Sequence, residues 1–144
     1  MSRVKLDIPQ KLFNTSLKIP VRITDINYGN HVGNDSIVSI IHEARIQFLQ
    51  QYDYTELNIE GLGLIMSDLQ VEFKNESFYK DIIEVKIGVA EITKVGFALY
   101  YVLSVKRNNE EIIIANAKTG MVCYNYQAKK VTSIPKKFLE ILSA

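Results

Sequence analysis

The sequence predicts an α+β fold in which a curved antiparallel sheet wraps around a long central helix. Three observations predict it. The stretch from Asp35 to Tyr52 is apolar at Ile37, Val38, Ile40, Ile41, Ala44, Ile46, Phe48 and Leu49, far more than one helical stripe. From Leu69 onward the period changes to two, in four successive runs. The prolines, Pro9, Pro20 and Pro135, lie near the ends, so the middle is free to form continuous regular structure.

The elements follow in order. Leu17 to Thr24 reads as a short strand, with Pro20 pointing to an edge position or an irregular entry. Asp25 to Asn34 is rich in Asn, Asp and Gly, which accept turn conformations and cap helices. The helix then runs from about Asp35 to Tyr52, with Asn34 or Asp35 as N-cap and Asp35 at the positive end of the dipole. A helix apolar on most sides is expected to be buried on most sides. A short helical turn is expected over Thr55 to Ile59. Leu69, Val71 and Phe73 alternate with polar neighbours, as do Ile83, Val85, Ile87 and Val89. Phe97, Leu99, Tyr101, Leu103 and Val105 form the third set, and Ile112 to Tyr126 the fourth. Turns fall at Asn75 to Ser77, Lys94 to Gly96 and Arg107 to Glu110. A short helix over Lys136 to Leu142 closes the chain after Pro135. A flat sheet cannot bury such a helix on most sides. A curved one can, and that is the hotdog architecture; a plain two-layer α+β sandwich is the alternative.

The bulk numbers narrow the function. A chain of 144 residues suits one domain spanning 1–144 with a real core. A net charge of +1 gives no basis for capturing nucleic acid or an anionic membrane. Lys129-Lys130, with Lys136-Lys137 close behind, is the one local positive run; it reads as a solvated face, with a phosphate-rich ligand such as CoA as the alternative. The single cysteine, Cys123, allows no intramolecular disulfide and reads as a small core residue. Two histidines and no Cys cluster argue against a metal site, and no cofactor is expected. The N-terminus lacks the apolar region of a signal peptide, and no window approaches the ~18 apolar residues of a membrane span. A cytoplasmic location is expected.

The stretch Asp25-Ile-Asn-Tyr-Gly-Asn-His-Val-Gly-Asn34, followed by His42-Glu-Ala-Arg45, resembles the hydroxybenzoyl-CoA thioesterase-like superfamily of hotdog acyl-thioester hydrolases. In that family the loop commonly reads D-x-D-x-x-x-H-V-N-N and the helix carries E-A-R. Asp25, His31, Val32, Asn34, Glu43, Ala44 and Arg45 match in spacing. Two positions depart: the family's second acid is Asn27, which cannot act as base or nucleophile, and the first Asn of its N-N pair is Gly33.

The resemblance implies an acyl-CoA or acyl-carrier-protein thioester hydrolase, assembled as a homodimer or homotetramer with its site between subunits. Such chemistry needs a polarised carbonyl, a water and a base. Backbone N–H groups of about Gly33, Asn34 and Asp35, at the helix start, suit the carbonyl oxygen. Glu43 is the expected acid, since the resemblance extends to it the role of the helix acid in acyl-carrier thioesterases. A carboxylate in so apolar a helix is expected to face a pocket, a dimer interface or a partner such as Asn27 or His31. Asn27 would hold the water and His31 orient Glu43 or share the proton. The resemblance also places the run Gly61 to Ser67, with Met66 and Ser67, along an acyl tunnel.

Plainer roles stand beside these. Asp25 suits a turn or cap, His31 a structural hydrogen bond, His42 a packed or interface position, and Gly61 to Ser67 a core strand. Glu43 could pair with Arg45 of a neighbouring chain. A non-catalytic acyl-thioester binder that has lost the loop acid is the alternative function. A hotdog hydratase ranks last, because nothing in the chain resembles its His-containing segment.

Overall fold

The computed structural model describes residues 3–144. Its elements run β1 (Leu12–Pro20), α1 (Asn34–Gln50), β2 (Gly63–Phe73), β3 (Ile82–Ala90), β4 (Gly96–Arg107), β5 (Glu110–Asn125), β6 (Lys130–Val131) and α2 (Lys136–Ser143). All strand pairs are antiparallel, in the order β1-β3-β4-β5-β2, with β6 pairing the end of β5. The sheet is curved, and the buried residues of α1 (Ile37, Ile40, Ile41, Ala44, Phe48 and Leu49) share one core with Leu17, Val85, Leu99, Tyr101, Leu103 and Met121 of the strands. Period-two alternation explains the inner face: Ile83, Val85 and Ile87 on β3, and Leu99, Tyr101 and Leu103 on β4, are all buried.

The first strand lies earlier than expected. It ends at Pro20, which cannot donate to a ladder, and the chain turns through a short 3-10 segment at Ile23–Asp25. The N-cap of α1 is Gly33, not Asn34 or Asp35: the Ile37 N–H reaches the Gly33 carbonyl at 3.0 Å, and no side chain caps the first turn. The helix is not covered on most sides within one chain. Val38, Ser39, His42 and Glu43 form an open stripe. The expected helical turn at Thr55 to Ile59 is instead a pair of tight turns, closed by bridges Thr55↔Asn58 and Ile59↔Leu62.

β2 begins at Gly63, six residues before its alternation becomes visible, because Gly61 to Ser67 carries no period-two signal. As an edge strand it leaves Leu69 and Val71 half-buried and Phe73 exposed. The register of β2 on β5 shifts between Met66 and Asp68, and Asp68 folds back to accept the Gly120 N–H at 2.7 Å. The β4–β5 hairpin turns at Asn108 and Asn109, both at positive φ, a conformation asparagine tolerates. Cys123 is buried, and burial pushes its thiol up to about 11. Among the described residues no helix is long and apolar enough to cross a membrane.

Candidate active site

The loop between β1 and α1 is fixed at both ends. The Val21 N–H donates to the Asp81 carbonyl and the Val32 N–H to the Ser77 carbonyl. Between them, Ile26 and Val32 form an antiparallel bridge, and the Asn27 N–H donates to the His31 carbonyl at 2.9 Å. Asn30 takes positive φ to close the turn. The sequence folds this way because Asn27 makes an Asx turn, its Oδ1 accepting the Gly29 N–H at 2.9 Å. That leaves Nδ2 as the free end of the amide. It stands 3.8 Å from where a Cβ on Gly33 would lie. Asn27 therefore presents a donor beside the start of α1.

Asp25 is 4% exposed and serves the loop. Its Oδ2 accepts the Arg22 N–H at 2.8 Å, and its carbonyl accepts the Gly33 N–H at 3.0 Å. The second bond removes Gly33 from the expected backbone donors. The Asn34, Asp35 and Ser36 N–H groups, which have no acceptor within a helix, remain. A Cβ on Gly33 would crowd the end of the exposed Asp35 side chain, which can turn aside.

Glu43 is exposed and faces a groove of about 290 Å³ between α1 and β1. Asp25, Arg22, Ser39, Ile40 and Gln47 share that groove. The Glu43 carboxylate accepts a hydrogen bond from the Gln47 amide, one turn on, at 2.9 Å. His31 and Asn34 line a different groove, of about 210 Å³, with Ile37, Phe73, Glu76 and Ile114. His31 has Nδ1 3.2 Å from the Val32 carbonyl and Nε2 3.8 Å from Glu76. Within one chain the structure thus brings Asp25 together with Glu43, and His31 together with Asn34, on the two flanks of α1. Met66 and Ser67 are exposed at the bulge of edge strand β2 and line neither groove. Among the described residues no three His, Cys, Asp or Glu side chains gather closely enough to hold a metal ion.

One constellation lay outside the sequence reading. Arg45, 5% exposed, is paired within its own chain. Its Nε donates to Glu56 at 2.8 Å and its Nη1 to the Tyr101 hydroxyl at 3.3 Å. Tyr101 in turn lies 2.7 Å from the Thr119 hydroxyl, both fully buried. His42 is not packed away; its Nε2 lies 2.7 Å from the other Glu56 oxygen. Burial opposes the charge on Glu56, yet its bonds to Arg45 and His42 outweigh that and hold the carboxyl below its ordinary value. Burial likewise pushes the Tyr101 hydroxyl up. The available signal was a cation in a buried helix, which demands an anion; nothing local pointed to Glu56.

The family model described as the thioesterase-like superfamily matches residues 21–142, so the chain belongs to that superfamily. A protein of Aquifex aeolicus (strain VF5), named "Putative esterase", is 30% identical over 102 residues, spanning 69% of this chain and 75% of the relative. The structure of a hypothetical protein from Aquifex aeolicus superposes with a TM-score of 0.77 at 25% identity, over 89% of this chain and 98% of that one. A 1,4-dihydroxy-2-naphthoyl-CoA thioesterase from Synechocystis superposes with a TM-score of 0.78 at 17% identity, over 89% and 94%, which shows a shared fold.

Proposed function

We propose that the protein hydrolyses acyl thioesters of coenzyme A (or of acyl-carrier protein), with Glu43 as the base. The observation that carries this is the Glu43 carboxylate. It opens onto a groove beside the loop of a thioesterase-like chain, and it accepts a hydrogen bond from the neighbouring Gln47 amide. Such a group can bind and deprotonate a water, a contribution of about 10²–10⁴-fold. The Asn34 and Asp35 N–H groups of one subunit, with its Asn27 amide, polarise the thioester carbonyl and hold the oxyanion that forms; α1 rises about 1.5 Å per residue, so the Glu43 that meets them belongs to a second copy. Gly33 allows the close approach, Asp25 keeps the loop in register, and His31 guides the proton to the departing thiolate. Water attack breaks the C–S bond, giving carboxylate and thiol.

The site is completed by a second copy. β2 ends the sheet with an open ladder and exposed Met66 and Phe73, and α1 has its open stripe. Unpaired edges are normally covered. A homodimer or homotetramer would bring Met66 and Ser67 of one subunit toward the loop of another, along the acyl chain. Light scattering should give at least a dimer at micromolar concentration; monomer alone contradicts this assembly.

The direct test offers a panel of acyl-CoAs, aromatic acyls included, and measures free thiol. Release well above background from at least one is expected; none from any chain length removes the hydrolase reading. Asn27, where the family pattern has an acid, favours a second reading: an acyl-thioester binder without turnover. Saturable binding of acyl-CoA with no thiol release would select it.

A further inference from the structure

Glu56 sits outside the loop and both grooves, yet it binds the two residues that bracket Glu43. Its carboxylate bonds His42 at 2.7 Å and Arg45 at 2.8 Å, and its carbonyl accepts the Leu64 N–H at 2.7 Å, at the start of β2. Arg45 extends the connection to Tyr101 and Thr119, on β4 and β5. We propose that Glu56 is a positioning residue for the Glu43 carboxylate: it fixes the rotation of α1 about its own axis and so sets where the base points. This inference rests on the reading of Glu43 as the base.

The geometry of a helix gives the reason. Successive residues turn by about 100°, so Glu43 and Arg45 project from nearly opposite flanks. Glu56 holds the flank of His42 and Arg45, while Glu43 faces β1 on the other. A helix can slide or roll on an apolar core, because that packing is not directional. Two charge-assisted hydrogen bonds to one carboxylate are directional. A roll of roughly 10° moves a group about 5–6 Å from the axis by about 1 Å. A misplacement of about 1 Å can cost on the order of 10²-fold in rate. Control of the roll is therefore control of the chemistry, exerted without contact with substrate.

The test is a double-mutant cycle in steady-state kinetics on the best acyl-CoA of the panel. Glu56→Gln keeps size and loses one of the two acceptor bonds. It should lower kcat about 10-fold, leave KM within about twofold, and leave the far-UV circular dichroism unchanged. In the Glu43→Gln background the same change should lower kcat less than about twofold, since the positioned group is gone. A full 10-fold loss in both backgrounds, or no loss in either, overturns the proposal. His42→Ala, at an exposed position, removes one arm without touching Arg45 and should lower kcat about 3-fold; an unchanged kcat there also counts against it. Absence of turnover in the wild type would overturn the hydrolase reading instead. The clamp is then read by NMR: Glu56→Gln should shift the Glu43 side-chain ¹³C resonance while leaving those of α2 in place. An unmoved Glu43 resonance overturns the positioning role whatever the activity.

Discussion

Glu43 projects from α1 and Glu56, in a turn beyond it, binds the same stretch of helix, and the structure treats the two carboxylates in opposite ways. Glu56 has both oxygens occupied by basic side chains and is held ionised by them. Glu43 stands in an open groove beside a single amide. The difference separates holding from acting. A carboxylate saturated by partners has no capacity left to take a proton from water, and a solvated one contributes little to stability. Arg45, Glu56, Tyr101 and Thr119 should therefore govern folding, and Glu43 turnover.

The largest effect should come from breaking the saturated side. Arg45→Ala leaves Glu56 and the Tyr101 hydroxyl short of their partner and should cost about 3–5 kcal/mol, the range for removing one member of a buried pair. Denaturant unfolding measures it; a loss below about 1 kcal/mol would mean the network is ornamental. Gly96→Ala follows, since a Cβ there would clash with the Met121 carbonyl oxygen, and backbone cannot yield as a side chain can. A cost of about 1–3 kcal/mol is expected, as for overpacking elsewhere. Tyr101→Phe should cost about 1–2 kcal/mol by depriving Thr119 and Arg45 of the hydroxyl.

Acid sharpens the comparison further. Burial opposes the charge on Glu56 and Asp81, but Arg45 and His42 on the one, and the Phe78 N–H, Arg107 and Ser77 on the other, outweigh it and leave both more acidic folded than unfolded. Their contribution is complete above the ordinary carboxylate value near pH 4 and is lost as pH falls through the lower folded value. Thermal melts from pH 7 down to pH 3 should show Tm falling. The fall should be shallower in Glu56→Gln or Asp81→Asn; equal slopes would contradict the assignment.

How much of this was legible in the sequence follows from which forces are local. Alternation in Ile83 to Val89 and Phe97 to Val105 encodes the inner face directly, so β3 and β4 were plain. Sheet order is not encoded there, and Leu69, Val71 and Phe73 alternate like a central strand while lying at an edge. The apolar count of α1 hid its open stripe, because Val38 and Ile46 extend the pattern beyond what one chain covers. Asp25, Asn27 and Gly33 were legible as a loop, since turn chemistry is local. The commitment of the Gly33 N–H to the Asp25 carbonyl was not, and neither was Glu56, joined to Arg45 from eleven residues further along the chain, beyond the end of α1.

The account is tested most directly by measuring turnover and stability together in Glu43→Gln. It predicts at least a ~100-fold fall in kcat on the preferred acyl-CoA, with unfolding free energy within about 0.5 kcal/mol of the wild type. Near-normal turnover, or a loss of turnover matched by a loss of folding, would contradict it.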